Sequence, residues 1–344
     1  MNTNKMKAMV CKKYGSPDVL QLEEVKRPEP KDDEVLVKVC ATSINAADWH
    51  LLTADIFLVR VHMGLFKPKH PVLGLDVAGY VESVGKNVKQ FKPGDAVFGN
   101  VFSQRLGCFA EYAIAPESLL ALKPANVTFE EAAAVPLAAI TALQGLRDKG
   151  QIQPGQKVLI NGASGGVGTF AVQLARYFGA EVTAVCSHHN LETARSLGAN
   201  HVIDYAKEDF TQNGRQYDLI LAANGYHPLS AYQRSLSAKG RFVMTGGALK
   251  QMLAALIKGP WLSKKDGQHL SALTLKPNPT DLPLLKNLLE TGKLAPVIDR
   301  RYPFSQLPEA FRYFGQGHSR GKVVITVADK IRGIERPAAF ESQQ

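Results

Sequence analysis

The sequence is poor in cysteine, with four among 344 residues, and no two of them form a Cys-x-x-Cys pair. Scattered thiols argue against a disulfide framework and against a four-cysteine structural zinc site, and they suit a reducing compartment. No apolar run reaches the roughly eighteen residues that a membrane-spanning helix needs. The first residues also lack the apolar core of a secretory signal peptide. These absences predict a cytoplasmic protein.

Acidic residues are scarce in the last third of the chain. Residues 230–344 hold 18 Lys and Arg against 8 Asp and Glu, whereas residues 1–229 hold 23 of each, so the last third supplies the whole net charge of +10. Such asymmetry can mark an anionic partner. No aromatic residues are interleaved in the pattern that stacks bases, so no nucleic-acid partner is expected. A phosphate-bearing cofactor together with solvated surface explains the excess equally well.

The most informative stretch runs from Lys157 to Ser187 and reads as strand, glycine-rich turn, helix and strand. Its turn has the spacing of a dinucleotide-binding fingerprint, with alanine in the first glycine slot. Glycines without side chains let the backbone approach a pyrophosphate, and the N–H groups at the start of the helix point toward its negative charge. The predicted cofactor-binding residues here are Ala163, Ser164, Gly165, Gly166, Val167 and Gly168.

The end of the second strand lacks an acidic residue. NAD-selective sites place Asp or Glu there to bind the ribose 2′-hydroxyl. This chain instead continues through Ser187, His188, His189 and Asn190, a hydroxyl, two imidazoles and an amide that tolerate a 2′-phosphate. The sequence therefore predicts NADPH as the cofactor, although the two histidines are equally compatible with plain surface.

The fold class predicted from the pattern is α/β, in two parts. Residues up to about 125 are rich in short strands and turns, and predict a compact, barrel-like β domain. A helical stretch begins near Thr128, and strands and helices then alternate, which indicates a doubly wound parallel sheet. The last helices and strands are expected to fold back onto the first domain. The predicted domains are 1–125 together with 278–344, and 126–277.

This organisation resembles the medium-chain dehydrogenase/reductase superfamily, and within it the zinc-independent quinone oxidoreductase (zeta-crystallin-like) branch. The resemblance covers about residues 6–328 and implies a GroES-like substrate domain plus a Rossmann nucleotide-binding domain. Its most specific pieces are GQKVLINGASGGVGTFAVQLAR, TSINAADW, PVLGLDVAG, SLGANHVIDY and RGKVVI. The segment TSINAADW is most similar to the corresponding segment of chloroplast-envelope quinone oxidoreductase homologues and their bacterial relatives. Those proteins resemble NADPH-dependent reductases of α,β-unsaturated carbonyls.

Zinc alcohol dehydrogenases share this architecture and are the alternative of the same fold, as alcohol dehydrogenase or carbonyl reductase. Their catalytic metal needs Cys and His ligands with an open fourth position. At the first ligand segment this chain offers Ala41, Ser43 and Asn45, and Gly74-Leu75-Asp76 stands where the His-Glu pair of that family lies. We therefore expect that the site holds no metal. The expected reaction is hydride addition to an electron-poor alkene or quinone, with hydrogen bonds to the developing enolate oxygen.

The resemblance implies roles for further residues. Asn45 and His50 are the candidate catalytic residues, with Asn45 beside the nicotinamide ribose and His50 where many relatives carry a substrate-facing tyrosine; a structural histidine is the alternative. The further candidate cofactor contacts are Asp48, Thr141, Ser187, His188, Tyr205 and Lys322, and a packing role is the alternative for Tyr205. Asn224 and Gly246 lie at the ends of later strands, where such sheets bind ligands.

The expected partners are a small enone or quinone and a second copy of the chain, paired through the edge-strand sequence LSALTLKP. A low-turnover NADPH-binding scaffold is an alternative of a different class. Peripheral membrane attachment through KGPWLSKK, where Trp261 stands among lysines, is a further one. A basic loop at a dimer edge or over the cleft explains that stretch as well.

Overall fold

A computed structural model describes residues 4–101, 106–247, 251, 254, 255, 257, 263 and 267–328. All of KGPWLSKK except Ser263 lies outside these residues, so the membrane-attachment hypothesis for that stretch is not tested. The tail 331–344, expected to be loosely ordered, also lies outside them.

The first part of the chain is built on a mixed sheet of seven strands. A two-stranded antiparallel ribbon lies next to it. The strands of both are β1 (Lys5–Cys11), β2 (Leu20–Lys26), β3 (Glu34–Ile44), β4 (Asp76–Val84), β5 (Ala96–Asn100), β6 (Tyr112–Pro116), β7 (Leu120–Leu122), β14 (Ile298–Pro303) and β15 (Lys322–Thr326). The order in the sheet is β14-β15-β3-β4-β5-β7, β6 pairs with β3, and β1 pairs with β2 in the ribbon. Because β15 pairs with β3, the end of the chain does return to the first sheet, as expected.

The nucleotide-binding half contains a parallel sheet of six strands, namely β8 (Lys157–Asn161), β9 (Glu181–Cys186), β10 (His201–Asp204), β11 (Tyr217–Ala222), β12 (Leu236–Met244) and β13 (His269–Ala272). Their order in the sheet is β10-β9-β8-β11-β12-β13. From β8 the chain runs outward to β9 and β10, and then returns to place β11 on the other side of β8. The strand order reverses there, which opens the crevice where such sheets bind ligands.

The helices are α1 (Ala46–Thr53), α2 (Phe57–Met63), α3 (Phe129–Ala133), α4 (Pro136–Leu143), α5 (Gly166–Tyr177), α6 (Leu191–Ser196), α7 (Leu229–Arg234), α8 (Asp281–Glu290) and α9 (Leu307–Gly315). The doubly wound sheet and the β-rich first part confirm the predicted fold class. The strand pattern alone did not indicate α1 and α2, which follow β3 directly. The exact domain boundaries stay a prediction.

The helical stretch expected after Thr128 is present and consists of three consecutive pieces. Thr128 caps α3, because its Oγ1 accepts a hydrogen bond from the Glu131 N–H at 3.2 Å and its own N–H donates to Glu131 Oε2 at 2.7 Å. Pro136 then ends this turn, since proline lacks the N–H that a continuous helix needs, and α4 starts at the proline itself. After α4 the chain widens into a π-helical turn, Gln144–Lys149. The stretch is helical, as predicted, and Pro136 divides it.

Helix α4 lies in the core that joins the two sheets. All its residues except Ile140 are buried. The same hydrophobic cluster contains Ala41 and Ala78 of the first sheet, and Val158 and Ile160 of the second. The two halves thus share one continuous core, and α4 carries backbone and side-chain groups from the nucleotide-binding half toward β4.

Candidate functional site

The glycine-rich loop joins β8 to α5 and is shaped by close backbone contacts. Gly162 has a φ of +83°, a left-handed conformation that favours glycine. A Cβ on Gly168 would lie 2.0 Å from the carbonyl oxygen of Gly162, so only glycine lets α5 pack against the loop. A Cβ on Gly165 would instead meet nothing closer than 3.7 Å. The space beside Gly165 is open to a ligand.

The start of α5 has the properties of an anion site. Gly165 is its N-cap, no side chain caps the helix and its first turn carries no acidic residue. The first N–H groups of a helix have no partner within the helix and favour negative charge. Ala163 contributes shape, because its side chain is buried and its N–H donates to the Val185 carbonyl at 3.0 Å. This cradle fits the pyrophosphate of a dinucleotide.

The predicted adenosine-side residues come together at the ends of β9 and β10. The Ser187 Oγ accepts a hydrogen bond from Asn190 Nδ2 at 2.9 Å. The N–H of Tyr205 donates to the Cys186 carbonyl at 3.2 Å. The side chains of His188 and Tyr205 are exposed, at 66% and 63%. Both rings are free to contact a ligand lying over this edge.

Sequence reasoning missed a carboxylate at this edge, because it belongs to the neighbouring strand. Asp204 ends β10 in register with Cys186 of β9. Its Oδ2 lies 3.7 Å from His188 Nδ1 and has no hydrogen-bond partner among the residues that the structure describes. The carboxylate is buried and adjoins His188.

Sequence reasoning also missed Arg320, which appeared only within a motif. It lines a cavity of about 130 Å³ between the glycine-rich loop and α6, together with Ser164, His189 and Asn190. In the described part of the chain, no ion pair engages the exposed Arg320 guanidinium. A cation and an imidazole therefore stand beside the loop, a combination suited to phosphate.

Two more predicted residues lie at the same edge of the sheet. The Asn224 N–H, just after β11, donates to the Asn161 carbonyl at 3.2 Å, and the Gly246 N–H, after β12, donates to the Ala222 carbonyl at 3.3 Å. Asn224 lies close to the loop, because a Cβ placed on Gly162 would be 2.7 Å from the Cβ of Asn224. Both residues therefore border the crevice between β8 and β11.

A second polar cluster is buried in the first domain around Asp76, at the start of β4. Its Oδ2 accepts from Ser43 Oγ at 2.7 Å and from Asn45 Nδ2 at 2.9 Å. Its Oδ1 accepts from Asn100 Nδ2 and from the Leu137 N–H, both at 2.9 Å. The Leu137 contact ties the carboxylate to α4. Asp76 is fully buried, and these hydrogen bonds compensate for the loss of water around it.

Asn45 is held in one orientation by this cluster. It is the N-cap of α1. Its N–H donates to Asp48 Oδ2 at 2.9 Å, and its Oδ1 accepts from Lys322 Nζ. Because its Nδ2 donates to Asp76, the amide has a partner on both sides. This geometry favours a positioning role for Asn45 over proton transfer.

Asp48 is the unusual acid of the cluster. It is fully buried, and its Oδ1 has no hydrogen-bond partner among the described residues. Burial and the nearby charge of Asp76 raise the pKa of Asp48 to about 7. A buried carboxyl with one unpaired oxygen can hold a proton near neutral pH.

Lys322 connects the two clusters. Its Nζ donates to Asn45 Oδ1 and to the Ile44 carbonyl, and lies 3.6 Å from Asp76 Oδ2. Its stem passes beside the glycine-rich loop, because a Cβ on Gly166 would be 2.9 Å from Lys322 Cδ. Burial lowers the pKa of Lys322, while Asp76 and Asp48 oppose that shift. The ammonium group lies inside the first domain, and its stem reaches the loop.

His50 and Thr141 stand apart from these contacts. His50 Nδ1 lies 2.8 Å from Asp55 Oδ1 near the end of α1, and no hydrogen bond or ion pair joins the ring to Asn45 or Asp48 in the described residues. The Thr141 Oγ1 donates to the Leu137 carbonyl at 2.7 Å, within α4. The catalytic role of His50 and the cofactor contact of Thr141 stay predictions.

Within the described residues, no group of three or more His, Cys, Asp or Glu side chains has the geometry of a metal site. None of the described helices is long and apolar enough to span a bilayer.

Comparisons with known proteins identify the family. The alcohol dehydrogenase GroES-like domain matches residues 31–125, and the zinc-binding dehydrogenase domain matches residues 197–325. The chloroplast envelope quinone oxidoreductase homologue of Arabidopsis thaliana is 35% identical over 93% of this chain and 98% of its own length. The chain belongs to the medium-chain dehydrogenase/reductase superfamily. Within it, the chain is a member of the quinone oxidoreductase branch.

Other relatives of this branch are named for enone reduction. The 2-methylene-furan-3-one reductase of Solanum lycopersicum is 37% identical, covering 94% of this chain and 79% of that protein. The NADPH-dependent alkenal/one oxidoreductase of Arabidopsis thaliana is 36% identical over 93% of this chain and 79% of that protein. The solved quinone oxidoreductase of Coxiella burnetii superposes with a TM-score of 0.83 at 29% identity, covering 94% of this chain and all of that one.

Proposed function

We propose that this dehydrogenase/reductase is an NADPH-dependent reductase of conjugated carbonyl compounds, namely enones, enals and α,β-unsaturated ketols, and of quinones. The names of its relatives support both the cofactor and the substrate class. The supporting observation in the structure is the Lys322 bridge. It links the phosphate-binding loop, through Gly166, to Asn45 and Asp76 in the first domain.

The described residues fit NADPH along one path. The loop Ala163 to Gly168 and the start of α5 would hold the pyrophosphate. Ser187, His188, Tyr205 and Arg320 would hold the adenosine 2′-phosphate. Asn45 and Thr141 would face the nicotinamide, with Asn224 and Gly246 beside it. Bound NADPH supplies a hydride equivalent.

The residues of the first domain fix the geometry of that site. Asp76 accepts four hydrogen bonds and so holds Ser43, Asn45 and Asn100 in single orientations. Lys322 balances the buried charge of Asp76 from within the same network. Asp48 braces the start of α1 by accepting from the Asn45 N–H. A site organised in this way orients its partners before reaction.

Conjugated substrates suit this set of side chains better than isolated ketones. Conjugation carries negative charge from the attacked carbon to an oxygen, where ordinary hydrogen bonds can stabilise it. An isolated carbonyl needs stronger activation, such as polarisation by a zinc ion. The side chains of Ala41, Ser43 and Asn45 provide neither a thiolate nor an imidazole ligand for zinc.

The test is NADPH oxidation by the purified chain against enones, quinones and the saturated ketones of matching size. The expected result is turnover of the enone to the saturated ketone, with at least about a hundredfold lower kcat/KM for the saturated ketone itself. Formation of an allylic alcohol would contradict the proposal. A Lys322→Met variant should lower kcat for all of these substrates alike, and the exposed Lys293→Met is its control.

We also propose a homodimer that pairs through the edge strand β13. This strand ends the parallel sheet and has a neighbour on only one side among the described strands. Unpaired edge strands are open to pairing with a second chain. Light scattering on the purified chain tests this proposal, and the cytoplasmic location stays a prediction to be tested by microscopy.

A further inference from the structure

Helix α2 points its apolar side chains outward, the reverse of an ordinary surface helix. None of its residues is buried. Phe57 is 69% exposed, Leu58 60% and Val61 54%. At about 100° per residue these three fall within one third of the helix circumference. The half-buried Val59, Arg60 and Met63 occupy the opposite side, toward the protein.

The turn after α2 extends this apolar face. Leu65 is 49% exposed and Phe66 is 87% exposed. We define the α2 surface as Phe57, Leu58, Val61, Leu65 and Phe66. Soluble monomers seldom expose so many large apolar side chains together, and patches of this kind mark interaction sites.

The segment is fixed to the body of the protein from behind. Tyr14 OH donates to the Gly64 carbonyl at 2.8 Å, and the guanidinium of Arg60 lies 5.0 Å from the centre of the Tyr14 ring. Lys69 Nζ donates to the His62 carbonyl at 3.2 Å, which closes the turn. These contacts use the inner side of the segment and leave the apolar side chains outside.

The surroundings of the α2 surface are basic. Residues 56–75 contain no Asp or Glu, whereas Lys67 and Lys69 stand among them, with His62 and His70. Arg60 belongs to the same stretch but faces Tyr14 on the inner side. Lys67 and Lys69 are exposed, and exposed Lys13 precedes Tyr14 on the supporting loop. The nearest acid along the chain, Asp55, is paired with His50.

We propose that the α2 surface docks the protein on an anionic lipid bilayer. Apolar side chains that enter the interface and nearby cations that meet anionic headgroups are the two features that peripheral binding needs. A second copy docked on the same face by two-fold symmetry would bring the lysines of both copies together, which is unfavourable. This site differs from KGPWLSKK and does not depend on the proposed reductase activity.

The experiment is co-sedimentation of the full chain with vesicles of phosphatidylcholine alone, or with about 30% phosphatidylglycerol, at low and high salt. We expect binding to the anionic vesicles that weakens at high salt. Phe57→Ser/Phe66→Ser should weaken it at least tenfold, and so should Lys13→Ala/Lys67→Ala. The matched controls, Leu22→Ser/Leu122→Ser and Lys89→Ala/Lys92→Ala, should bind as the parent does.

NADPH binding and thermal unfolding show that each variant is folded. Absence of vesicle binding by the parent chain would overturn the proposal, and so would equal losses in the surface and control variants. A lower solution mass for Phe57→Ser/Phe66→Ser, without a change in vesicle binding, would also overturn it and make the face an interface between copies.

Discussion

The ammonium of Lys322 and the amide oxygen of Asn45 form a hydrogen bond inside the first domain, although 277 positions separate them in the chain. The bond joins the start of β15 to the start of α1. Because the Lys322 stem also passes beside Gly166, a change at this lysine should affect the fold and the site together.

We predict that Lys322→Met destabilises the protein by about 3 kcal/mol, because it leaves the Asp76 carboxylate buried without its cation. Loosening of Asn45 should lower kcat at least tenfold. Urea unfolding and steady-state kinetics measure the two effects. In a double-mutant cycle, Asp76→Asn should reduce the penalty of Lys322→Met, whereas purely additive effects would contradict the coupling. The exposed Lys293→Met is the control.

Asp48 should make stability fall as the pH rises. Its pKa is raised from 3.8 to about 7, so between these values the folded state holds a proton that the unfolded state has released. Stability is therefore lost as the pH rises through this window, with the full penalty present above about pH 7. Thermal unfolding from pH 5 to pH 8 should show that the stability of Asp48→Asn increases relative to that of the parent as the pH rises. The exposed Asp33→Asn should run parallel to the parent, and parallel curves for Asp48→Asn would refute the prediction.

Two glycines of the loop should separate binding from folding. Gly165 has a φ of −78° and free space beside it, so Gly165→Ala should change the unfolding free energy by less than about 0.5 kcal/mol. Its methyl group should nevertheless raise the Kd for NADPH at least tenfold. Gly168→Ala meets the Gly162 carbonyl and should destabilise by about 2 kcal/mol or more. An unchanged Kd for NADPH in a folded Gly165→Ala variant would show that the space beside Gly165 is not a binding cradle.

Cofactor preference should depend on the end of β9. NADPH should bind at least tenfold tighter than NADH, about 1.4 kcal/mol. Ser187→Asp should reverse the order, because its carboxylate repels a 2′-phosphate and accepts from a ribose hydroxyl. Arg320→Ala should weaken NADPH more than NADH, with Arg300→Ala as control. Fluorescence titration measures the Kd of both cofactors for the parent chain and the three variants. Tighter binding of NADH than of NADPH by the parent chain would overturn the assignment.

The local pattern of residues 157–187 was sufficient to predict the strand, loop and helix of the cofactor cradle. Glycine spacing and strand periodicity are short-range properties, so they do not depend on the rest of the fold. The same reasoning predicted the helical stretch after Thr128, although it did not indicate that Pro136 divides the stretch into α3 and α4.

Contacts between distant parts of the chain were beyond such patterns. No spacing indicates that Asp204 would lie beside His188, because strand order decides it. The sequence did not indicate the α2 surface either. An apolar run such as FLVRVHM is typical of a buried segment, and only the fold places its apolar side chains in solvent.

The sequence by itself determined the fold class, the dinucleotide loop and the lack of an acid at the end of β9, because these depend on residue type and local spacing. Only the tertiary structure decided how Lys322 reaches Asn45 and Asp76, and how Asp48 came to be buried with an unpaired oxygen. Those relationships arise when β15 pairs with β3 and the two sheets close around α4, so burial and long-range pairing set them.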